Sequence, residues 1–164
     1  MSDLSDRIRK HAAQHKEQFR NEANAQEKAR IDAEKQQKLI TEKADEYWNA
    51  FVKDFKDAGL EIKAEFDGDR IDVYDGPREV NLHKGNFPSI DIRCHRTNDN
   101  RIIVSAMLGT GGGQYASIED SAYVISVNEH GLYLRDAYNA HNSTEAPALI
   151  ERLLRLVFDN CMRS

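Results

Sequence analysis

The amino-acid sequence predicts an α+β fold: a long N-terminal helix, an antiparallel meander sheet of five to seven strands, and a C-terminal helix packed on one sheet face. Three observations carry this prediction. Residues 1–58 contain no glycine and no proline. The middle of the chain alternates apolar and polar residues in short runs between turn signals, and the C-terminal segment repeats apolar residues at helical spacing.

The N-terminal helix carries two apolar stripes of unequal strength. Ala, Gln, Glu, Lys and Arg dominate its composition, and all five are good helix formers. A narrow stripe at spacings of three and four is formed by Leu4, Ile8, Ala12, His15 and Phe19. A stronger stripe is formed by Ile40, Ala44, Tyr47, Trp48, Phe51 and Phe55. We therefore predict two domains: a charged helical extension over residues 1–38, forming a coiled coil or partly disordered in the monomer, and an α+β domain over residues 39–164.

Charge pairs support the helix between the two stripes. Opposite charges four residues apart, such as Arg30 and Glu34, stabilise a solvated helix by about 0.2–0.5 kcal/mol each. Gly59 is the first glycine of the chain, and a glycine just past the end of a helix is a common stop signal. We therefore predict a docked helix over residues 39–58 that ends at Gly59.

Alternating runs predict the strands. Residues 60–66 alternate cleanly, and we expect them to form a hairpin that turns at 67–69 and returns through Ile71 and Val73. Further strands are predicted at residues 79–83, 89–96, 101–108, 122–128 and 132–136. The short loops favour antiparallel neighbours. The run 101–108 is apolar on both faces, which is typical of a central strand.

The C-terminal helix is predicted over residues 145–162. Ser143 or Thr144 is expected to cap it, and Pro147 is tolerated in a first turn. Its wide apolar face consists of Leu149, Ile150, Leu153, Leu154, Val157, Phe158, Cys161 and Met162. A face of this width belongs against a sheet or another helix.

The composition excludes several classes of protein. The chain has 164 residues and a formal net charge of −5, and no run approaches the roughly 20 apolar residues that a membrane-spanning helix needs. Net acidity argues against nucleic acid as a direct ligand. The opening residues MSDLSDRIRK contain no apolar stretch, so we expect no secretory signal. Cys94 and Cys161 are too few for a disulfide scaffold and fit a reducing compartment, so we predict a cytoplasmic protein without a membrane contact.

The sequence predicts no cofactor and no metal. It has no Ser-His-Asp order, no CxxC and no nucleotide-binding fingerprint. His11 and His15 have a chelating spacing, but no Glu or Cys completes the site. The glycine-rich run 109–113 could form an anion-binding nest, although its strand-like flanks favour a hairpin tip. Cys94 and His95 should point to opposite sheet faces, which works against a Cys-His pair.

Two functions from different classes remain open. The preferred one is a non-catalytic protein that associates with a second copy, or with a partner's helix, through Leu4, Ile8, His15 and Phe19. The alternative is a small enzyme or ligand-binding domain with a site between the polar sheet face and the glycine loop. Its residues would be Asp91, Arg93, His95, Gly111, Gly112, Gly113 and His130. A third reading, an acidic inhibitor that imitates nucleic acid, rests on the carboxylates of residues 61–79.

Overall fold

A computed structural model describes residues 2–66, 68 and 70–161 of the chain. The chain divides into two compact units, Met1–Leu39 and Ile40–Ser164. Helix α1, Ser2–Glu65, contributes residues to both units. The remaining elements all belong to the second unit.

The second unit contains an antiparallel sheet whose strands lie side by side in sequence order. The elements that follow α1 are β1 (Ile71–Gly76), β2 (Glu79–Lys84), β3 (Ser89–Arg96), β4 (Arg101–Gly111), β5 (Gln114–Asn128), β6 (Gly131–Asp136), β7 (Ser143–Thr144) and helix α2 (Ala146–Cys161). The predicted α+β class and meander are confirmed. The seven strands of the described residues are the upper end of the expected range, and β4 lies at the centre of the sheet as predicted.

One face of the sheet packs against the helices. On β3, Ile90, Ile92 and Cys94 are at most 1% exposed, whereas Asp91 between them lies on the other face. The same core cluster contains side chains from both helices: Ala44, Trp48, Phe51, Phe55, Leu149, Leu153 and Val157. The packing of α2 on one sheet face is therefore confirmed, with α1 from Ile40 onward sharing that core.

The prediction that α1 ends at Gly59 is wrong. The helix continues to Glu65, and Gly59 is buried inside it. A Cβ at Gly59 would lie 2.8 Å from Cγ2 of Val73 on β1, so the missing side chain allows the helix to approach the sheet closely. Ile62 follows on the same face and is buried. Gly59 thus serves packing instead of termination.

The predicted first hairpin is also wrong, for the same reason. Residues 60–65 are helical, and β1 pairs with β2, with Ile71 opposite Lys84. The proposed turn residues Asp67 and Asp69 lie outside the described residues. Glu61 consequently stands on a helix and not on a strand, which removes the acidic hairpin on which the nucleic-acid-mimic reading rested.

The other turns follow the sequence pattern more closely. Gly111, Gly112 and Gly113 have φ values of 101°, 65° and 77°, and they close the β4–β5 hairpin, which confirms the hairpin-tip interpretation. Asn100, with φ of 58°, closes the predicted turn between β3 and β4. Residues 114–121, which were not predicted as strand, form the first half of the long strand β5.

The start of α2 differs from the prediction by its cap. Ser143 and Thr144 are not capping residues, because they form β7 and pair with Arg135 and Leu134. The amide of Leu149 donates to the carbonyl of Glu145 at 3.0 Å, so the helix begins at Ala146. Pro147 lies in the first turn as expected. Met162, the last residue of the predicted apolar face, lies outside the described residues.

Tyr47 gives the fold a pH dependence at the alkaline end. Burial, reinforced by the carboxylate of Glu145, raises the pKa of Tyr47 to about 12, above the value near 10 of an unfolded tyrosine. Because the folded state holds this proton more tightly, the stabilisation is present below about pH 10 and is lost as the pH rises towards 12. We expect Tyr47→Phe, which cannot ionise, to lose less stability between pH 9 and pH 11 than the natural chain, measured by urea unfolding.

Tyr138→Phe is the matched control for this prediction. Tyr138 is 77% exposed, so its replacement should leave the alkaline loss of stability unchanged. An identical loss in the Tyr47→Phe and Tyr138→Phe variants would contradict the prediction.

Candidate functional site

The first candidate site is the apolar stripe of the N-terminal unit. Every described side chain from Asp3 to Lys38 is exposed. Within this solvated helix, Leu4 is 67%, Ile8 60% and Phe19 68% exposed. Isolated surface apolar residues are common, but these three share one helix face with Ala12 and His15, and together the five residues form a narrow, mostly apolar strip. Nothing among the described residues of the chain covers it.

The exposed stripe has the same spacing as the stripe that α1 buries in the second unit. Its residues follow one another at intervals of four, four, three and four: Leu4, Ile8, Ala12, His15 and Phe19. The same intervals separate Ile40, Ala44, Trp48, Phe51 and Phe55. The second set lies against the core, with Phe55 fully buried. A helix face of this geometry is therefore a packing face in one unit and is left in solvent in the other.

Ion pairs stabilise the N-terminal unit without covering the stripe. Arg30 donates to Glu34 at 2.6 Å, which confirms that predicted pair, and it also pairs with Glu27. The carboxylates of Glu27 and Glu34 raise the pKa of Arg30. Pairs between exposed side chains contribute little each. The unit thus has the electrostatic support of a solvated helix and an apolar face available for association.

The second candidate site is a polar cluster on the sheet face that carries no helix among the described residues. Its centre is Asp91 on β3, whose carboxylate accepts hydrogen bonds from Asn81 at 3.0 Å and from Arg93 at 2.7 Å. Nδ1 of His83 lies 3.7 Å from the same carboxylate. Hydrogen bonding to Asp91 and its negative charge raise the pKa of Arg93. These groups line an open groove of about 630 Å³.

Tyr115, the second residue of β5, lines this groove. A Cβ at Gly109 would lie 3.0 Å from the ring of Tyr115 and 2.3 Å from Oγ of Ser89. The absence of a side chain at Gly109 therefore allows Tyr115 to lie across the strand beside Ser89. Tyr74 forms part of the opposite lining.

The structure brings together only part of the predicted ligand site. Asp91 and Arg93 line the groove, but His95 does not, although it is on the same strand face. The glycine turn 111–113 closes the hairpin just beyond Gly109 and Tyr115. His130 lies in the β5–β6 turn at the opposite end of the sheet. The expected convergence of these groups on one pocket therefore does not occur, and the ligand-binding hypothesis keeps only its Asp91–Arg93 part.

Sequence reasoning did not include Asn81 and Tyr115 in the predicted ligand site. Asn81 is 6% exposed and faces Arg93 across the β2–β3 ladder. Its role follows from strand register, which a single sequence does not provide. The signal for Tyr115 was its position two residues after Gly113, the last residue of the glycine run.

Cys94 and His95 do not form a nucleophile–base pair in the described residues. Burial strongly raises the pKa of the Cys94 thiol, which disfavours the thiolate that acts as a nucleophile. Cys94 and His95 lie on opposite faces of β3 as predicted, one buried and one exposed. His11 and His15 are exposed on α1, and in residues 2–66, 68 and 70–161 no group of three potential ligands is placed to hold a metal ion.

The chain was compared with protein families, with curated proteins and with solved structures. No family model, no curated protein and no solved structure matches this chain. None of the helices described is both long and apolar enough to cross a membrane.

Proposed function

We propose that this chain is a non-catalytic interaction protein that self-associates through the N-terminal helix, with Leu4, Ile8, His15 and Phe19 as the contact surface. The single observation that carries the proposal is the exposure of Leu4, Ile8 and Phe19, each by 60% or more, on one face of the N-terminal part of α1, where every described side chain from Asp3 to Lys38 is exposed. Burying such a side chain is worth about 1.5–3 kcal/mol.

The helix itself supports the proposal. A helix without tertiary packing is only marginally stable in water, and most helical stability in proteins comes from burial of an apolar face. The second unit shows the same stripe spacing buried against a core. Association of two chains would give the front stripe the burial that the rear stripe already has.

The sheet groove supports a ligand less well. The carboxylate of Asp91 is already satisfied by Asn81 and Arg93, so an incoming ligand would have to replace these contacts. This is the usual arrangement of cross-strand polar pairs that stabilise an open sheet face. We therefore assign the Asp91 cluster to the sheet and the function to the stripe. The two cysteines are free and buried, which supports our proposal of a reducing, cytoplasmic location.

The experiment is a measurement of molar mass against concentration for the full chain and for Ile8→Asp/Phe19→Asp. We expect the natural chain to exceed the monomer mass of 18.7 kDa at micromolar concentration. The variant should remain monomeric, because a carboxylate buried in an apolar contact is strongly unfavourable. Analytical ultracentrifugation reports both masses.

A matched control tests whether charge alone is responsible. Ala13→Asp/Asn24→Asp introduces two aspartates at the same separation of eleven residues, on the helix face away from the stripe. This control should associate like the natural chain. A natural chain that stays monomeric up to high concentration would refute the proposal, and loss of association in the control alone would show that the contact face is wrongly assigned.

A further inference from the structure

A second apolar surface lies between α1 and α2 in the unit Ile40–Ser164. It is a groove of about 400 Å³ whose sides are the last turns of α1 and the length of α2. Its apolar floor consists of Ala58, Ile62, Pro147, Ile150, Leu154 and Phe158. Phe158 stays 38% exposed although its ring meets Phe66 edge to face at 5.6 Å between centroids. The groove therefore presents apolar surface that the unit itself does not cover.

The rim of this groove is acidic. Four carboxylates and one guanidinium line it: Asp54, Glu61, Glu65, Glu151 and Arg155. Arg155 lies 3.5 Å from Glu151, so its charge is already shared with one of the acids. The rim consequently carries a net negative charge around an apolar floor.

The stripe has the complementary character. Residues 4–20 carry five basic side chains and two acidic ones: Arg7, Arg9, Lys10, Lys16 and Arg20 against Asp6 and Glu17. Ile8 lies between Arg7 and Arg9, and Phe19 precedes Arg20, so the apolar residues are flanked by positive charge. An amphipathic helix that lays its apolar face into an apolar groove is a recurrent mode of recognition. Here the flanking charges match the rim in sign.

Resting on the proposed self-association, we infer that the α1–α2 groove of one chain receives the stripe of residues 4–20 from a second copy of the chain. Charge selects this arrangement over contact between two stripes, because stripe against stripe would place two positively charged segments together. The donor is assigned to a second copy because Leu4, Ile8 and Phe19 remain exposed in the single chain. Reciprocal exchange closes such a contact into a dimer, and a non-reciprocal contact continues into an open assembly.

Charge exchange in the full chain tests the inference. The acceptor variant is Glu61→Lys/Glu65→Lys, and the donor variant is Arg9→Glu/Lys16→Glu, whose two residues are seven apart and lie on one side of the helix. All four side chains are exposed. We expect each variant to raise the dissociation constant of self-association about tenfold at low salt. A chain carrying both pairs of substitutions should recover the natural constant, since the charges are again opposite.

Control variants separate this inference from the proposed function. Asp120→Lys/Glu129→Lys makes the same change in charge at exposed positions outside the groove and should leave association unchanged. Glu151→Lys changes the charge of the groove rim on α2. If circular dichroism shows that Glu61→Lys/Glu65→Lys does not fold, Glu151→Lys replaces it, and we expect it to weaken association.

Each outcome decides one of the two hypotheses. If Ile8→Asp/Phe19→Asp abolishes association while the groove variants do not affect it, self-association stands and the groove is the wrong acceptor. Failure of the combined charge exchange to restore association also overturns the groove assignment. A natural chain that is monomeric throughout removes the proposed function, and the groove with it.

Discussion

Replacing Phe55 by alanine is expected to lower the free energy of unfolding by about 3–5 kcal/mol, the largest effect that we expect of any single substitution in this chain. Phe55 is fully buried in the core cluster formed by α1, the sheet and α2. Alanine would remove most of the side chain and leave a cavity that tightly packed neighbours fill only in part. Urea unfolding followed by the fluorescence of Trp48, the single tryptophan of the chain, measures the loss.

Phe19→Ala provides the matched control on the same helix. The residue type and the substitution are identical, but Phe19 is 68% exposed. At concentrations below the association range, the free energy of unfolding should therefore change by no more than about 0.5 kcal/mol. In the association assay we expect the opposite ranking of the two variants, with Phe19→Ala weakening the complex more than Phe55→Ala. Equal destabilisation by the two substitutions would mean that residues around Phe19 are buried in the monomer.

The second large effect is expected from Arg152→Met, which breaks the connection between α2 and β5. The guanidinium of Arg152 contacts both carboxylate oxygens of Glu119 at 3.2 Å and donates to the hydroxyl of Tyr123 at 2.7 Å. The Glu119 side chain is only 13% exposed. Without Arg152 this carboxylate loses its charged partner in a poorly hydrated position, and we expect a loss of about 2 kcal/mol in the free energy of unfolding.

Two further variants show whether the cause is the loss of the charged partner of Glu119. Arg155→Met removes an arginine of the same helix whose partner Glu151 is 68% exposed, so it should cost less than about 1 kcal/mol. Adding Glu119→Gln to Arg152→Met should restore part of the stability, because a neutral amide is less costly to bury without a charged partner than a carboxylate is. The explanation fails if Arg152→Met and Arg155→Met cost the same in urea unfolding.

The stability measurements also help to interpret the association experiments, because they separate effects on the interface from effects on the fold. Phe55 and Arg152 stabilise the fold of the second unit, whereas the residues changed in the stripe and on the groove rim are exposed. A change in molar mass with an unchanged unfolding curve is therefore attributable to the interface. A change in both would indicate that the fold has been affected.

Local periodicity was sufficient for much of the fold. The alternation of Ile90, Ile92 and Cys94 against their polar neighbours predicted β3 with its observed bounds and faces. The helical repeat of residues 149–161 predicted α2 and its buried face. Such patterns are readable because each element must place its own apolar residues on one side, whatever it packs against.

The candidate site was readable in part. The stripe of Leu4, Ile8 and Phe19 follows from spacing alone, and the structure adds that these side chains are exposed. The α1–α2 groove could not be derived in the same way. Glu61 and Glu65 had been assigned to a strand, and their position beside Glu151 depends on how two distant segments pack.

By itself, then, the sequence determined the α+β class, the helical character of the front segment, the order of the meander and the apolar stripe, because all of these depend on residues close together along the chain. Only the tertiary structure decided that Gly59 continues a helix instead of ending it, since the contact that requires a glycine there is made by Val73 on β1. It also decided which polar groups meet at Asp91, because strand register brings Asn81 and Arg93 together. Contacts of this kind depend on packing between segments, which local pattern does not specify.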